Sequence, residues 1–249
     1  MFPIDSAVPI RQPPVVVWTL LLLNAAFFLY ELSLTPEELQ AFLHRWALVP
    51  ARYFVPGWAE AAGLDRSPLP FLTNTFLHGG WFHIISNMWT LWIFGPAVED
   101  RMGSGRFVAF YLLCGIGASL AHALVNWNSP IPALGASGAI AGVIGAYMRL
   151  FPLSRLIVMV PIGFIPFFFE MPAAIFAFVW FLTQVVQGVG ALFAPAVGGG
   201  VAWWAHIGGF VVGFVLVPWI HRRRRLRAWY ADEGKLGFSP DGTRRRRTA

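Results

Sequence analysis

The chain has 249 residues, of which 57% are hydrophobic and only 12% are charged, whereas soluble domains typically carry about 25% charged residues. Several apolar windows reach the roughly 18 to 20 residues that cross a bilayer, which argues against a soluble all-α enzyme. The net charge of +6 is uneven, because residues 221–249 hold ten of the eighteen Lys and Arg residues and a net charge of +7. A basic tail beside an apolar segment sets topology or binds anionic lipid more often than nucleic acid. We therefore expect a lipid bilayer as partner and no nucleic acid.

The apolar segments predict an all-α membrane protein with six spans, over residues 15–30, 79–98, 107–126, 131–148, 171–188 and 201–220. A signal peptide is the competing interpretation of the first segment, but no A-x-A-like cleavage site follows it. Residues 31–70 mix charges with aromatics such as Trp46, which predicts a long first loop lying in the membrane interface. Prolines interrupt residues 156–169, so we expect an irregular or interfacial segment there. Three glycines at 198–200 predict a flexible break.

Six spans place both termini on one side of the membrane. The arginine run at 222–225 predicts that this side is the cytoplasm, by the positive-inside rule. The predicted organisation is a short cytoplasmic N-terminus over residues 1–14, a six-span domain over 15–220 and a basic cytoplasmic tail over 221–249. The compact six-span arrangement fits a bacterial inner membrane.

Polar side chains in predicted spans are costly unless they face a partner or a water-filled cavity. His83 and Asn87 lie four residues apart in the second span and share one helix face. With the predicted topology, they fall at the same depth as Ser137 in the fourth span and His206 in the sixth. One aqueous vestibule could therefore reach all four.

Ser137 lies in a run of small residues near the predicted start of a helix, where backbone N–H groups are unpaired. His206 shares a helical stripe with Gly209 and Gly213, and this stripe can pack closely against the Gly138 side of the fourth span. Such packing would bring the His206 imidazole to the Ser137 hydroxyl, which is the minimum activation that a serine nucleophile needs.

No carboxylate lies at that depth, because Glu99 and Asp100 are at the opposite face, so the sequence supports a Ser–His dyad at most. His83, Asn87 and the Ser137 backbone N–H remain as donors to an oxyanion. The sequence contains no H-E-x-x-H, and no metal site is expected.

Several motifs in span order resemble the rhomboid intramembrane serine proteases over about residues 15–220. They are Gly135-Ala136-Ser137-Gly138, Ala205-His206-Ile207-Gly208-Gly209 with Gly213, His83-x-x-x-Asn87, the charged turn at 99–105, and Trp46 in the first loop. The resemblance implies a serine endopeptidase that cleaves peptide bonds in or near transmembrane segments of membrane proteins. Its substrates would enter near the fifth span, and it would need no cofactor.

The resemblance also implies the role of each residue. Ser137 would be the nucleophile and His206 the general base, with His83, Asn87 and the Ser137 N–H in the oxyanion hole. Three further positions would support the site: Gly135, Gly138 and Gly209. His78 matches a family histidine that orders the nearby site through hydrogen bonds. The sequence departs from the family at Ala141, where members often carry a tyrosine that stacks on the base.

A second class of function stays open, namely a non-catalytic polytopic protein that binds or transports clients. In that case the small residues around Ser137 would only pack helices, and His206 could be a proton relay. His83 and Asn87 would then only hydrogen-bond across helices. The natural substrate and the oligomeric state are not legible in the sequence.

Overall fold

The computed structural model describes residues 1–193 and 201–221, so the predicted break at 198–200 and the tail at 222–249 lie outside the described residues. Most of the described chain is helical. Its longer helices are α1 (Val15–Ser33), α6 (Trp81–Met102), α7 (Ser104–Val125), α8 (Ser137–Leu150), α9 (Ala173–Phe193) and α10 (Trp203–Ile220). Among the described residues, four helices are long and apolar enough to cross a membrane: α1, α7, α9 and α10. The protein is therefore a multi-pass membrane protein.

The other two longer helices are less apolar or shorter. Helix α6 carries His83 and Asn87 and ends in a charged turn, and α8 has only 14 residues, fewer than the roughly 20 that cross a bilayer. Their role as the second and fourth spans stays a prediction.

Short helices occupy the segment between α1 and α6. They are α2 (Pro36–Trp46), α3 (Ala51–Phe54), α4 (Trp58–Ala61), α5 (Pro70–Thr73) and a 3₁₀ turn at Asn74–Phe76. The buried Arg52 guanidinium ties them together, because it donates to the Arg45 carbonyl at 3.0 Å and to the Asp65 carboxylate at 2.5 Å. Backbone and side-chain hydrogen bonds from Ser67 and Arg52 lower the pKa of Asp65. The position of this segment in the membrane interface remains a prediction.

The all-α prediction is wrong in one region, where the chain forms an antiparallel sheet of order β1-β2-β3. The strands are β1 (Phe2–Ser6), β2 (Arg155–Ile162) and β3 (Ile165–Pro172). The segment that we expected to be irregular, 156–169, is thus most of a β-hairpin, and the N-terminal segment adds the third strand.

The prolines that exclude a helix here are compatible with the hairpin. A two-residue turn joins Ile162 to Ile165, and Gly163 takes the positive φ of 61° that the turn needs. In such a hairpin the closing pair is hydrogen-bonded and the next pair is not. That next pair is Pro161 opposite Pro166, so neither missing N–H breaks a ladder bond.

Helix α8 is the centre of the molecule, and every residue from Gly138 to Tyr147 is buried. It begins at Ser137, six residues later than predicted, because residues 131–136 run as non-helical chain, in which Ala133 pairs with Leu48. A Cβ atom on Gly209 would overlap the Gly138 carbonyl, and one on Gly213 would overlap the Gly142 carbonyl. The predicted close packing of these two glycine-lined helices, α8 and α10, is therefore confirmed.

Candidate active site

Ser137 is the first residue of α8. Gly135 precedes it at a φ of 128°, a backbone conformation that side-chain-bearing residues rarely adopt. The first N–H groups of a helix have no intrahelical partner, and the helix dipole places partial positive charge there. Ser137 therefore combines a half-buried hydroxyl with backbone donors that can stabilise a negative charge.

The hydroxyl of Ser137 lies against the imidazole of His206 on α10. The distance from Ser137 Oγ to His206 Nε2 is 2.7 Å. On the other side of the ring, His206 Nδ1 lies 2.8 Å from Gln184 Oε1 on α9. Three helices thus bring a serine, a histidine and a glutamine into one hydrogen-bonded line.

Two tryptophans flank the imidazole of His206. Trp180 on α9 lies at a centroid distance of 5.9 Å, and Trp203 meets the ring edge-on at 6.2 Å. The imidazole thus has aromatic neighbours on α9 and at the start of α10, whereas Ala141 on α8 offers no ring. His206 itself is only 9% exposed.

The sequence reasoning does not identify Gln184, because it considers only carboxylates as a third member at the predicted membrane depth of Ser137 and His206. One feature of the sequence could have indicated it: Gln184 is a polar residue inside a largely apolar helix, and polar residues within membrane spans are often functional. Its position in the sequence does not reveal which helix it faces.

His83 lies beside the Ser137 loop. A Cβ atom on Gly135 would meet the His83 ring at 2.7 Å from both Cε1 and Nε2, so the glycine makes room for the imidazole. Gly79 N–H donates to His83 Nδ1 at 3.4 Å, which favours the tautomer with the proton on Nε2. That N–H is on the side of the ring that faces Gly135.

Asn87 lies one turn further along α6 and is buried, with 6% of its surface exposed. Its Nδ2 has no hydrogen-bond partner among the described residues. A buried donor without an acceptor is costly and rare in folded proteins. This side chain is therefore ready to donate to a group that is brought to the site.

His78 lies next to His83. Neither of its ring nitrogens has a hydrogen-bond partner among the described residues, and its ring meets the His83 ring edge-on at 5.1 Å. Its backbone N–H donates to the Glu31 carboxylate at 3.2 Å. Burial, and secondarily the neighbouring His83, lowers the pKa of His78 to about 3. The His78 ring therefore packs against His83, and its role in ordering the site through hydrogen bonds stays a prediction.

A small cavity of about 20 Å³ adjoins Ser137 on its α7 side. Polar side chains contribute to its wall, namely Asn74, Thr75, Ser119, His122 and Ser137. This volume is sufficient for one water molecule, and the wall offers the polar partners that a buried water needs.

No three His, Cys, Asp or Glu side chains come together in a metal-binding group within residues 1–193 and 201–221. The expectation that no cofactor is needed remains a prediction.

The helices and this cluster define a class of protein: a multi-pass membrane protein in which a serine at the start of a buried helix is hydrogen-bonded to a histidine on a neighbouring helix. The family model for the Rhomboid domain matches residues 65–223, which is more than half of the chain. The chain belongs to the rhomboid family, whose members are generally intramembrane serine proteases.

Individual relatives agree with this assignment. The chain is 28% identical to Rhomboid protein 1, mitochondrial, of Saccharomyces cerevisiae over 87% of its own length and 58% of that protein. It is 47% identical to Rhomboid protease GluP of Bacillus subtilis over 77 residues, or 31% of this chain and 15% of that protein. Identity to the human Presenilin-associated rhomboid-like protein, mitochondrial, is 27% over 65% of this chain and 42% of that protein. The chain thus spans less than two thirds of these relatives.

Proposed function

We propose that this protein is an intramembrane serine endopeptidase that hydrolyses peptide bonds in or near transmembrane segments of membrane proteins. The observation that carries the proposal is the 2.7 Å separation of Ser137 Oγ and His206 Nε2. A histidine at this distance can take the serine proton as the hydroxyl attacks.

The first half of the reaction forms an acyl-enzyme. Ser137 Oγ attacks the carbonyl carbon of the scissile bond, and its proton moves to His206 Nε2. When the tetrahedral intermediate collapses, the carbon–nitrogen bond breaks and His206 returns the proton to the leaving amine. The amine leaves with the C-terminal part of the substrate, and the ester on Ser137 retains the N-terminal part.

The intermediate carries a negative oxygen that needs donors. We assign this role to three groups: the backbone N–H of Ser137, the Asn87 Nδ2, which has no partner among the described residues, and the His83 Nε2–H. Fixed donors aimed at a developing charge stabilise a transition state strongly in a site that excludes water. The unmatched buried donor of Asn87 supports this role in particular, since such an oxyanion would satisfy it.

The second half of the reaction needs water at a buried site. A water molecule gives a proton to His206 and attacks the ester, and the proton then returns to Ser137 as the acyl group leaves. The polar cavity beside Ser137 has room for one such molecule, which supports hydrolysis as the outcome.

The alternative is a non-catalytic family member that binds or transports membrane proteins. Labelling with a fluorophosphonate separates the two, because only an activated serine reacts. We expect the purified wild-type protein to be labelled and to cleave a single-span model substrate in proteoliposomes. Both activities should be lost in Ser137→Ala and in His206→Ala.

The matched control is Ser33→Ala at the exposed end of α1, where the hydroxyl bonds only to the Tyr30 carbonyl. This variant should be labelled and should cleave at wild-type rates. Cleavage that survives Ser137→Ala, or a folded wild-type protein that resists labelling, would refute the proposal.

The remaining assignments are proposals of the same kind. We propose that α6 and α8 complete six spans within residues 15–220 and that both termini face the cytoplasm of a bacterial inner membrane. The arginines in the last turns of α6 and α8, Arg101 and Arg149, support this orientation. Near them, Glu99 accepts from the Val16 and Val17 N–H groups at the start of α1, and the Tyr147 hydroxyl contacts Ser6. Some relatives are mitochondrial by name, so membrane fractionation of the native host is the test of location.

A further inference from the structure

Among residues 1–193 and 201–221, Gln184 is the one hydrogen-bond partner of His206 Nδ1, at 2.8 Å. It lies on α9 with 6% of its surface exposed. Neither a bare serine–histidine pair nor the packing of α9 requires a polar side chain at this position. The following inference rests on the proposed function and assigns Gln184 a part in it.

The orientation of the Gln184 amide is determined by its own surroundings. Its Nε2 donates to the Trp180 carbonyl at 3.2 Å and to Thr183 Oγ1 at 3.1 Å. With both N–H groups directed to acceptors, the oxygen Oε1 is the atom that faces His206. An amide oxygen only accepts hydrogen bonds.

This orientation selects one form of the imidazole. Because Oε1 can only accept, His206 Nδ1 must carry the proton in the neutral ring, and Nε2 is then free to accept from Ser137. The opposite tautomer would direct the Nε2 proton at the serine and leave two unprotonated atoms, Nδ1 and Oε1, facing each other. Only the first tautomer can begin the reaction.

We propose that Gln184 is a positioning residue that holds the His206 ring in the Nδ1-protonated, reactive tautomer. It acts as the orienting member that a carboxylate supplies in soluble serine hydrolases. An amide suits this apolar position better than a carboxylate, because burying a neutral group costs far less than burying an ion. Gln184 exchanges no proton with the substrate and is therefore not a catalytic residue.

The test compares Gln184→Met with Gln187→Met on the same helix. Methionine has a similar length and flexibility but cannot accept a comparable hydrogen bond. We expect Gln184→Met to lower kcat roughly 10- to 100-fold, because the base is present but often in the wrong tautomer. KM should not change. Gln187 is exposed, and its variant should behave as wild type.

A conservative variant separates positioning from packing. Gln184→Glu keeps an oxygen acceptor at the same place, so it should restore most of the kcat that Gln184→Met loses. If Gln184 only packs α9 against α10, both variants would change the melting temperature and KM, and kcat would not depend on the acceptor.

A spectroscopic readout is independent of activity. In ¹⁵N-histidine-labelled protein, with the His206 signals assigned by their loss in His206→Ala, the wild type should have Nδ1 protonated and Nε2 unprotonated. In Gln184→Met the two forms should mix. An Nε2-protonated ring in the wild type, or an unchanged kcat in Gln184→Met, would overturn the proposal.

These outcomes also distinguish this inference from the proposed function. A wild-type protein that does not cleave but contains the Nδ1-protonated ring would refute the protease and leave the Gln184 contact standing. An active wild type with an equally active Gln184→Met variant would refute the role of Gln184 and leave the proposed protease function standing.

Discussion

Asn87 is buried, and its Nδ2 has no hydrogen-bond partner among the described residues. Substitution of this side chain therefore tests the oxyanion hole directly. If its Nδ2 stabilises the oxyanion, Asn87→Ala should lower kcat by about 100- to 1,000-fold, or about 2.7–4 kcal/mol of transition-state stabilisation. Because the donor has no partner among the described residues, the same substitution removes no hydrogen bond within the protein and should leave the melting temperature near the wild-type value. Kinetics and thermal unfolding of one protein preparation check both parts.

The control for Asn87 is Asn24→Ala. Asn24 is also a buried asparagine in a helix, but its amide donates to the Leu20 carbonyl of its own helix α1. Its substitution should leave kcat near the wild-type value. Equal kinetic effects of the two substitutions would contradict the role of Asn87.

The titration of His78 should make the free energy of unfolding depend on pH. The unfolded chain protonates this histidine near pH 6.5, whereas in the folded protein burial and His83 lower its pKa to about 3. Between these values the unfolded state binds more protons, so folding stability falls as the pH is lowered through this range. The contribution is at most about 1.4 kcal/mol per pH unit and vanishes above pH 6.5.

The corresponding experiment measures thermal unfolding in detergent from pH 7.5 to pH 4.5, for the wild type and for His78→Phe. The aromatic replacement keeps a ring against His83 but cannot titrate. The wild type should lose more stability on acidification than the variant. Parallel curves for the two proteins would show that His78 does not sense the pH as inferred.

At the level of single residues, chemistry and predicted depth together point to Ser137, His206, His83 and Asn87. The structure brings Ser137 Oγ to His206 Nε2 and the His83 ring to Gly135, while the role of Asn87 stays a prediction. Gln184 could not be found in this way, since its partner depends on the rotation of α9 about its axis. The ring packing of His78 was likewise not encoded in any spacing.

Helix packing depends on the glycines that α8 and α10 share. Gly209→Leu should separate the two helices, because its side chain would overlap the Gly138 backbone. We expect a destabilisation of roughly 1–3 kcal/mol or more and loss of fluorophosphonate labelling, since Ser137 and His206 lie on these two helices.

Gly190→Leu is the matched control for that change. Gly190 is also a helical glycine, but a Cβ atom there meets nothing within 4 Å. Its variant should retain both labelling and melting temperature. Full activity of Gly209→Leu would contradict the close-packing explanation.

The sequence predicts a helix well where the length of an apolar segment determines it. It predicts the start of α8 and the β-hairpin poorly, because local backbone geometry determines those. The start of α8 was set too early because residues 131–136 are apolar enough to continue a span, although Gly135 adopts a positive φ that breaks the helix. Prolines such as Pro161 and Pro166 predict irregular chain, although a hairpin can also accommodate them. Their placement opposite each other, which the sheet tolerates, becomes visible only when the register is known.

On the scale of the whole molecule, the two ends of the chain should contribute differently. Residues 222–249 lie outside the described residues and contain no candidate site residue. We therefore expect a protein that ends at His221 to keep its activity in detergent. Loss of activity in this shortened protein would assign the tail a role in the site.

Removal of residues 1–6 is the contrasting change. This segment contributes a hydrogen bond from Trp89 Nε1 to the Pro3 carbonyl at 2.7 Å and a 2.5 Å contact between the Ser6 and Tyr147 hydroxyls. Its deletion should lower the melting temperature, because it removes these bonds and uncovers β2. An unchanged melting temperature would show that β1 is dispensable.

The pairing of β1 with β2 has a consequence for biogenesis. Residues 2–6 leave the ribosome about 150 residues ahead of their partner strand, a delay of roughly 10–30 s at ordinary rates of translation. During that time α1, α6, α7 and α8 are synthesised, and the nascent segment has no partner strand with which to pair. One of the earliest parts of this chain to be made is therefore among the last to reach its final place.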